Sequence, residues 1–316
     1  MVRTRGLVKR YGRLVAVDGL ELHVRAGEIY GFLGPNGAGK TSTLMMLLGI
    51  TRPTAGEILL FGERYTPERL ELRRRIGVVP EKHPRGVWPW MTAREYLELF
   101  ADLFGVDGAR RRIEGLLERV ELAAFRDKRI SEFSRGMLQK LSFVRALLPD
   151  PDLLLLDEPI SGLDPLGIRQ VRDLIQAERR GGRAILISSH QLSEMERLCD
   201  RVAIIARGRL LAEEAMATLL SRLSPEREIH VELEGIPPGL AEGMRKLPFV
   251  SGTEEIGGTL VVKVSREGDV RGEVARHLIG LGLVPLSISE RMPSLEEAFV
   301  TITGETAERL AGRRDA

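Results

Sequence analysis

Gly34-Pro35-Asn36-Gly37-Ala38-Gly39-Lys40-Thr41-Ser42 is the stretch on which the fold turns. An apolar run from Ile29 to Leu33 precedes it and Thr43-Leu44-Met45-Met46-Leu47-Leu48 follows, which predicts strand, glycine-rich turn and helix. In that setting the spacing G-x-x-x-x-G-K-[ST] reads as a phosphate-binding loop. Glycines let the chain curl so that the N–H groups of Asn36, Gly37, Ala38, Gly39, Lys40, Thr41 and Ser42 converge on a polyphosphate. The helix N-terminus adds unpaired donors and partial positive charge. Lys40 supplies a point charge for the β- and γ-phosphates, and the Thr41 hydroxyl can hold Mg²⁺. A nucleoside triphosphate is the expected ligand. No Asn-Lys-x-Asp base-reading motif is present, which favours ATP over GTP.

Outward from the loop, the chain keeps returning to short apolar runs. Residues 2–8 and 15–24 read as strands, the second alternating Leu20, Leu22 and Val24 with Glu21, His23 and Arg25. Ile58 to Phe61 and Ile76 to Val79 are further strands. Thr92-Ala93-Arg94-Glu95 is a capping box for a helix running to Phe104. Residues 109–148 read as mostly helical, with Met137, Leu141, Val144 and Leu148 on one stripe. Leu153 to Leu156, Ala184 to Ile187 and Val202 to Ala206 are continuous apolar runs, as in parallel strands covered on both faces. A crossover helix near residues 165–179 joins the first two.

At 316 residues the chain has room for about two domains. A hydrophobic fraction of 43% beside 29% charged residues is enough for a proper core. The net charge of +2 gives no electrostatic footprint for nucleic acid. One cysteine, Cys199, leaves no internal disulfide and fits a reducing compartment. The beginning of the chain lacks the apolar core of a signal peptide, and no run approaches the ~18 apolar residues of a spanning helix. If the work involves a membrane, another chain must cross it.

Leu153-Leu154-Leu155-Leu156-Asp157-Glu158 is a buried strand ending in two acids, at the sheet edge where α/β ligands sit. Asp157 suits the shell of Mg²⁺, and Glu158 suits the orientation or deprotonation of an attacking water. His190 follows another buried strand at the same edge, where a histidine taken alone is more often a structural end-of-strand residue.

With these in order, residues 1 to about 215 resemble the ATP-hydrolysing subunit of an ATP-binding cassette (ABC) transporter, of the exporter type found in drug, antibiotic or sodium efflux. Tyr11, in Lys9-Arg10-Tyr11-Gly12, sits where that family stacks an aromatic on adenine, and Val17 is a further nucleotide contact the resemblance implies. Phe133-Ser134-Arg135-Gly136-Met137 resembles the signature L-S-G-G-Q in variant form. Ser161-Gly162-Leu163-Asp164 resembles the D-loop, and Ser188-Ser189-His190 the switch histidine. The resemblance implies that Ser134 and the N–H groups near Gly136 act across a homodimer, on ATP held by the partner's phosphate loop, and that Asp164 is a further nucleotide contact. Glu81 stands where most relatives carry Gln; its carboxylate could still ligate Mg²⁺ beside Thr41 and Asp157. Arg135 and Met137 replace Gly and Gln, which is compatible with contacts made by Ser134 and backbone donors.

The implied fold is an α/β P-loop ATP-binding cassette: a mixed sheet with a RecA-like core, an antiparallel β subdomain and a helical subdomain. It is expected over residues 1–223, with the helical subdomain at about 82–150 and a helical linker over 214–223. Residues 224–304 read as strand-helix-strand-strand-helix-strand, a small ferredoxin-like α+β domain of regulatory or dimer-bracing role. It includes strands at 229–233, 259–264 and 283–288, and helices at 239–247 and 269–281. Residues 305–316 are expected to be a frayed tail.

The resemblance implies a cytoplasmic ATPase, peripheral at the inner face of the membrane, that drives export by a separate integral permease and touches the membrane only through it. The loop from Glu81 through Trp90 and Met91 lies where relatives receive a permease helix. Its two tryptophans mark a contact surface or simply pack the loop. The competing reading is a soluble ABC ATPase of DNA repair, translation or cluster assembly. Such relatives carry two cassettes, a coiled-coil insertion or a basic surface, and this chain shows none of them.

Overall fold

The computed structural model describes the chain apart from residues 82–87, 181, 224–226, 265–267, 292–293 and 312–316; of residues 180, 223 and 305–311 it gives the backbone alone. The chain forms two compact units, Met1–Met216 with Ile302–Ala316, and Ala217–Thr301.

In the first unit, β1 (Val2–Tyr11), β2 (Leu14–Leu20), β3 (His23–Val24) and β4 (Ile29–Leu33) lead into α1 (Lys40–Leu47). Then come β5 (Ala55–Leu60), β6 (Glu63–Arg64), α2 (Leu70–Arg73) and β7 (Ile76–Val79). The helical part holds α3 (Ala93–Phe104), α4 (Ala109–Arg119) and α5 (Arg135–Leu147). The chain continues through β8 (Leu153–Asp157), α6 (Pro165–Arg180), β9 (Ala184–Ser189), α7 (Leu192–Leu198), β10 (Arg201–Ala206) and β11 (Arg209–Ala215).

Two sheets result. One is antiparallel, in the order β2-β1-β5-β6 with β3 paired to β1. The other runs β11-β10-β4-β9-β8-β7 and is parallel except for β11. Leu153 to Leu156 are all within 1% of complete burial, because helices cover both faces of a parallel sheet. Each such leucine contributes about 1.5–3 kcal/mol of apolar transfer.

The second unit contains α8 (Met216–Leu223), β12 (Arg227–Glu232), α9 (Leu240–Met244), β13 (Val250–Ile256), β14 (Thr259–Val264), α10 (Arg271–Gly280), β15 (Ser287–Arg291) and the start of α11 (Leu295–Ala311). Its four strands are all antiparallel, in the order β13-β14-β12-β15. That is the split βαβ arrangement, with its first and third strands central. Ile229, Val231, Leu260, Val262, Val274 and Leu278 form its separate core.

The structure departs from the sequence expectations at several places. The strand expected over 15–24 breaks after Leu20, and the buried Thr4 hydroxyl bridges the gap. It donates to the Leu20 carbonyl (2.9 Å) and accepts from the Leu22 N–H (2.8 Å). The helix expected over 109–148 is interrupted between α4 and α5. Glu121 takes a left-handed φ of 60°, and two single 3₁₀ turns, Ala123–Phe125 and Ile130–Glu132, carry the chain to Ser134. Met137 is only half-buried, unlike Leu141, Val144 and Leu148 of its stripe.

The linker expected to be helical from 214 starts as strand, because Ala212, Glu213, Glu214 and Ala215 pair with β10. The last strand lies at Ser287–Arg291, later than the expected 283–288, and leaves Val284 and Leu286 exposed. Residues 305–311, expected to be frayed, continue α11; 312–316 lie outside the described residues.

Candidate nucleotide site

Register brings the site together. In the parallel sheet Asp157 lies beside Ser188, and Leu33 beside Ser189, so the chain leaving β4, β8 and β9 emerges at one edge. The phosphate loop leaves there and α1 starts at Lys40. Gly39 caps that helix at φ 105°, and a Cβ there would collide with the Ala16 carbonyl. Only glycine serves at that position.

Lys40 is buried, and its ammonium donates to the carbonyls of Gly34 (2.5 Å) and Pro35 (3.2 Å). Burial lowers its pKa, against the opposing pull of Glu158 and Asp157. Burial raises the Asp157 carboxyl above its ordinary value, and the Glu81 charge adds to this; a hydrogen bond from the Ser188 hydroxyl and the charge of Lys40 work the other way.

Glu158 sits at φ 48°, in the left-handed region, with its N–H on the Ser188 carbonyl (3.0 Å). Its carboxylate is 11% exposed, lies 2.9 Å from His190 Nδ1, and accepts from the Ser189 hydroxyl (3.3 Å). The Gln191 N–H in turn donates to Ser189 Oγ (3.1 Å).

These groups line a cleft of about 580 Å³. Of the sequence-derived candidates it gathers Tyr11, Asn36, Gly37, Ala38, Gly39, Lys40, Thr41, Ser42, Glu81, Asp157, Glu158 and His190. Tyr11 is 43% exposed, with the Lys9 ammonium 4.9 Å from its ring centroid. Val17 does not join them. It is 1% exposed and packs in the core behind Gly39, while Leu14, Val15 and Ala16 of the same hairpin face the cleft. Sequence reasoning also missed Pro35, Ser161 and Arg207. For Arg207 a signal existed: Arg207-Gly208 separates two apolar runs, as a tight turn does.

Ser134, Gly136 and Asp164 lie elsewhere, in a second cleft of about 370 Å³ between the starts of α5 and α6. Ser134 is the N-cap of α5, its Oγ accepting from the Met137 N–H (3.2 Å). Asp164 caps α6 in the same way, Oδ1 accepting from the Gly167 N–H at 2.7 Å. Its side chain is therefore engaged in its own chain and does not reach the first cleft.

The expected contact loop is split. Residues 82–87 lie outside the described residues. Trp88 packs at a tilt against Tyr96 and edge-on against Phe100, both with centroids 5.6 Å away, whereas Trp90 is 66% exposed. The capping box of α3 is complete: the Glu95 N–H donates to Thr92 Oγ1 (3.2 Å) and the Thr92 N–H to Glu95 Oε2 (2.8 Å).

A strand, a glycine loop closed by a buried lysine, and an Asp-Glu pair at the end of the next strand but one in the sheet define a P-loop nucleoside triphosphatase. Comparison with known proteins narrows this. The ABC transporter family profile matches residues 17–161. The bacitracin transport ATP-binding protein BcrA of Bacillus licheniformis is 38% identical over 305 residues, 96% of this chain and 97% of that protein. The Nod factor export ATP-binding protein I of Burkholderia thailandensis is 40% identical over 300 residues, 94% of each. Among solved structures, an ATP-binding subunit of an ABC transporter superposes with TM-score 0.64 at 30% identity, over 70% of this chain and 92% of that one. The dimeric bacterial ABC cassette MJ0796 does so with TM-score 0.61 at 25% identity, over 68% and 99%.

The chain belongs to the ABC transporter ATP-binding family. It binds ATP, and its activity is ATP hydrolysis coupled to transport. Subunits of this kind dimerise and work with membrane permeases. Among the described residues no helix is long and apolar enough to cross a membrane.

Proposed function

We propose that two copies of this chain close on two ATP molecules at the cytoplasmic face of a membrane and drive export through a separate permease. The observation that carries this reading is the meeting of Lys40, Asp157, Glu158 and His190 at one sheet edge, with His190 Nδ1 2.9 Å from Glu158. In this reading Tyr11 stacks on the base, and Lys40 turns from the loop carbonyls to the phosphates. Glu158 orients and deprotonates the attacking water. His190, holding Glu158 through Nδ1, has Nε2 left for the γ-phosphate. Ser134 and Gly136 of the second copy complete the phosphate's surroundings. Export follows from relatives named for bacitracin transport and Nod factor export.

Mg²⁺ suits the residues present. Thr41, Asp157 and Glu81 offer hard oxygen donors in one cleft. Among the described residues no cluster of three or more metal-ligating acids, histidines or cysteines exists, and Mg²⁺ characteristically borrows phosphate and water for the remainder. When bound, the ion neutralises charge on the β- and γ-phosphates.

The permease contact falls on the exposed Trp90 and on an apolar groove of about 540 Å³ that includes Ile50, Leu70, Leu103 and Phe104. The second unit holds no glycine loop of this kind, and we assign it a regulatory or dimer-bracing role. Glu158→Gln tests the core of the reading. ATP binding should persist while turnover falls by roughly 10²–10⁴-fold, the usual loss with an acid–base group. An ATP-bound dimer should then accumulate in sedimentation. Unchanged turnover would overturn the assignment.

A further inference from the structure

β9 ends in two serines, and each gives its hydroxyl to one of the two acids at the end of β8. Ser188 donates to Asp157 Oδ1, and Ser189 donates to Glu158 Oε2 at 3.3 Å. Ser189 is wholly buried and does not line the nucleotide cleft, so it reaches the chemistry only through Glu158. Its own position is fixed twice. The sheet holds its backbone beside Leu33, and its Oγ accepts from the Gln191 N–H at 3.1 Å. With that acceptor position filled, the hydroxyl proton is left for Glu158.

The other partner of Glu158 is His190, whose Nδ1 lies 2.9 Å from the same oxygen, Oε2. Among the described residues Oε1 has no partner. The two holders differ in footing: His190 is exposed on the turn after β9, whereas Ser189 belongs to the strand. A carboxylate fixed by one oxygen presents the other in a set direction, and a reacting group displaced by about 1 Å can lose on the order of 10²-fold in rate. We propose that Ser189 is a positioning residue for hydrolysis, tying Oε2 of Glu158 to the end of β9 so that Oε1 faces the attacking water wherever His190 stands. This rests on the reading of Glu158 as the base. Oε1 takes the proton of the water whose oxygen forms the new bond to the γ-phosphorus, while the bond from that phosphorus to the β-phosphate oxygen breaks, leaving ADP and phosphate.

The test is ATP turnover of the full chain, with Ser189→Ala made alone and together with Glu158→Gln. Alone it should lower kcat roughly 10-fold, the lower end for a hydrogen bond to a charged group, and leave KM for ATP unchanged. In the Glu158→Gln chain the same substitution should alter the residual turnover by less than about 2-fold, because a residue that acts through another side chain has nothing left to orient. Ser189→Thr, which keeps the hydroxyl, should restore most of kcat. Full kcat in Ser189→Ala overturns the proposal. So does an equal fold-loss in both backgrounds, which would mark Ser189 as packing for the sheet edge. Failure of the underlying reading looks different: Glu158→Gln then turns over like the parent, and the role of Ser189 falls with it.

Discussion

In the phosphate-loop cleft, Lys40, Asp157, Glu158 and His190 each have a neighbour that answers them: loop carbonyls, the Ser188 hydroxyl, and one another. In the cleft at Ser134, the two polar side chains at the helix starts are spent on capping, and among the described residues the Arg135 guanidinium makes no hydrogen bond or ion pair. The first is a site organised before any ligand arrives, its charges held by groups already in place. The second is a shallow cleft between two capped helix starts. In the proposed reading a single chain therefore carries a binding half and a half that serves another copy.

Substitutions in the second cleft test that division most sharply. Ser134→Glu places a carboxylate where a phosphate is meant to approach, while Glu remains acceptable near a helix start. Turnover should fall by at least ~10²-fold, as when an oxyanion donor is lost, with binding of ATP to the isolated chain unchanged by fluorescence titration. Loss of binding in the monomer would mean that the two clefts are not separate. Asp164→Ala removes a cap and should cost about 1 kcal/mol, lowering the melting temperature by about 2–4 °C without altering monomer affinity. A change in monomer affinity would make Asp164 a contact of the nucleotide bound by its own chain.

The smallest expected effect lies in the first cleft and has the opposite sign. Because burial raises the Asp157 pKa, the fold holds a proton that the unfolded chain has lost between the ordinary value of 3.8 and the raised one. Stability attributable to this group therefore falls as pH rises through that window, and its full cost is present above it. Asp157→Asn should raise the melting temperature at neutral pH by about 1–2 °C and flatten that limb of the stability–pH curve. A fall at neutral pH would show that Asp157 is instead a net support for Lys40.

The first cleft was largely legible in the sequence and the second only in outline. Asp157, Glu158 and His190 could be placed because parallel strands are continuous apolar runs, and a residue that ends such a run has one place to be. The phosphate loop is contiguous, so its spacing carries its geometry. Motif position does not encode side-chain direction, however. Val17, expected at the nucleotide, is buried in the core while its neighbours Val15 and Ala16 line the cleft. Ala212-Glu213-Glu214-Ala215-Met216 has good helix propensity, yet pairing with β10 overrides it as far as Ala215. The break at Glu121 depends on a left-handed residue that is not glycine, which composition does not announce.

Glu158 shares that left-handed backbone, at φ 48°. Holding a branchless acid there costs on the order of 1 kcal/mol or more, and the surrounding edge of the sheet must absorb it. Glycine would relax the position without steric penalty. A duplicated gene freed from the need for turnover thus has a downhill mutation available at this codon. In lineages that kept the fold and abandoned the chemistry, drift toward Gly or Asn at this one position should be among the earliest scars.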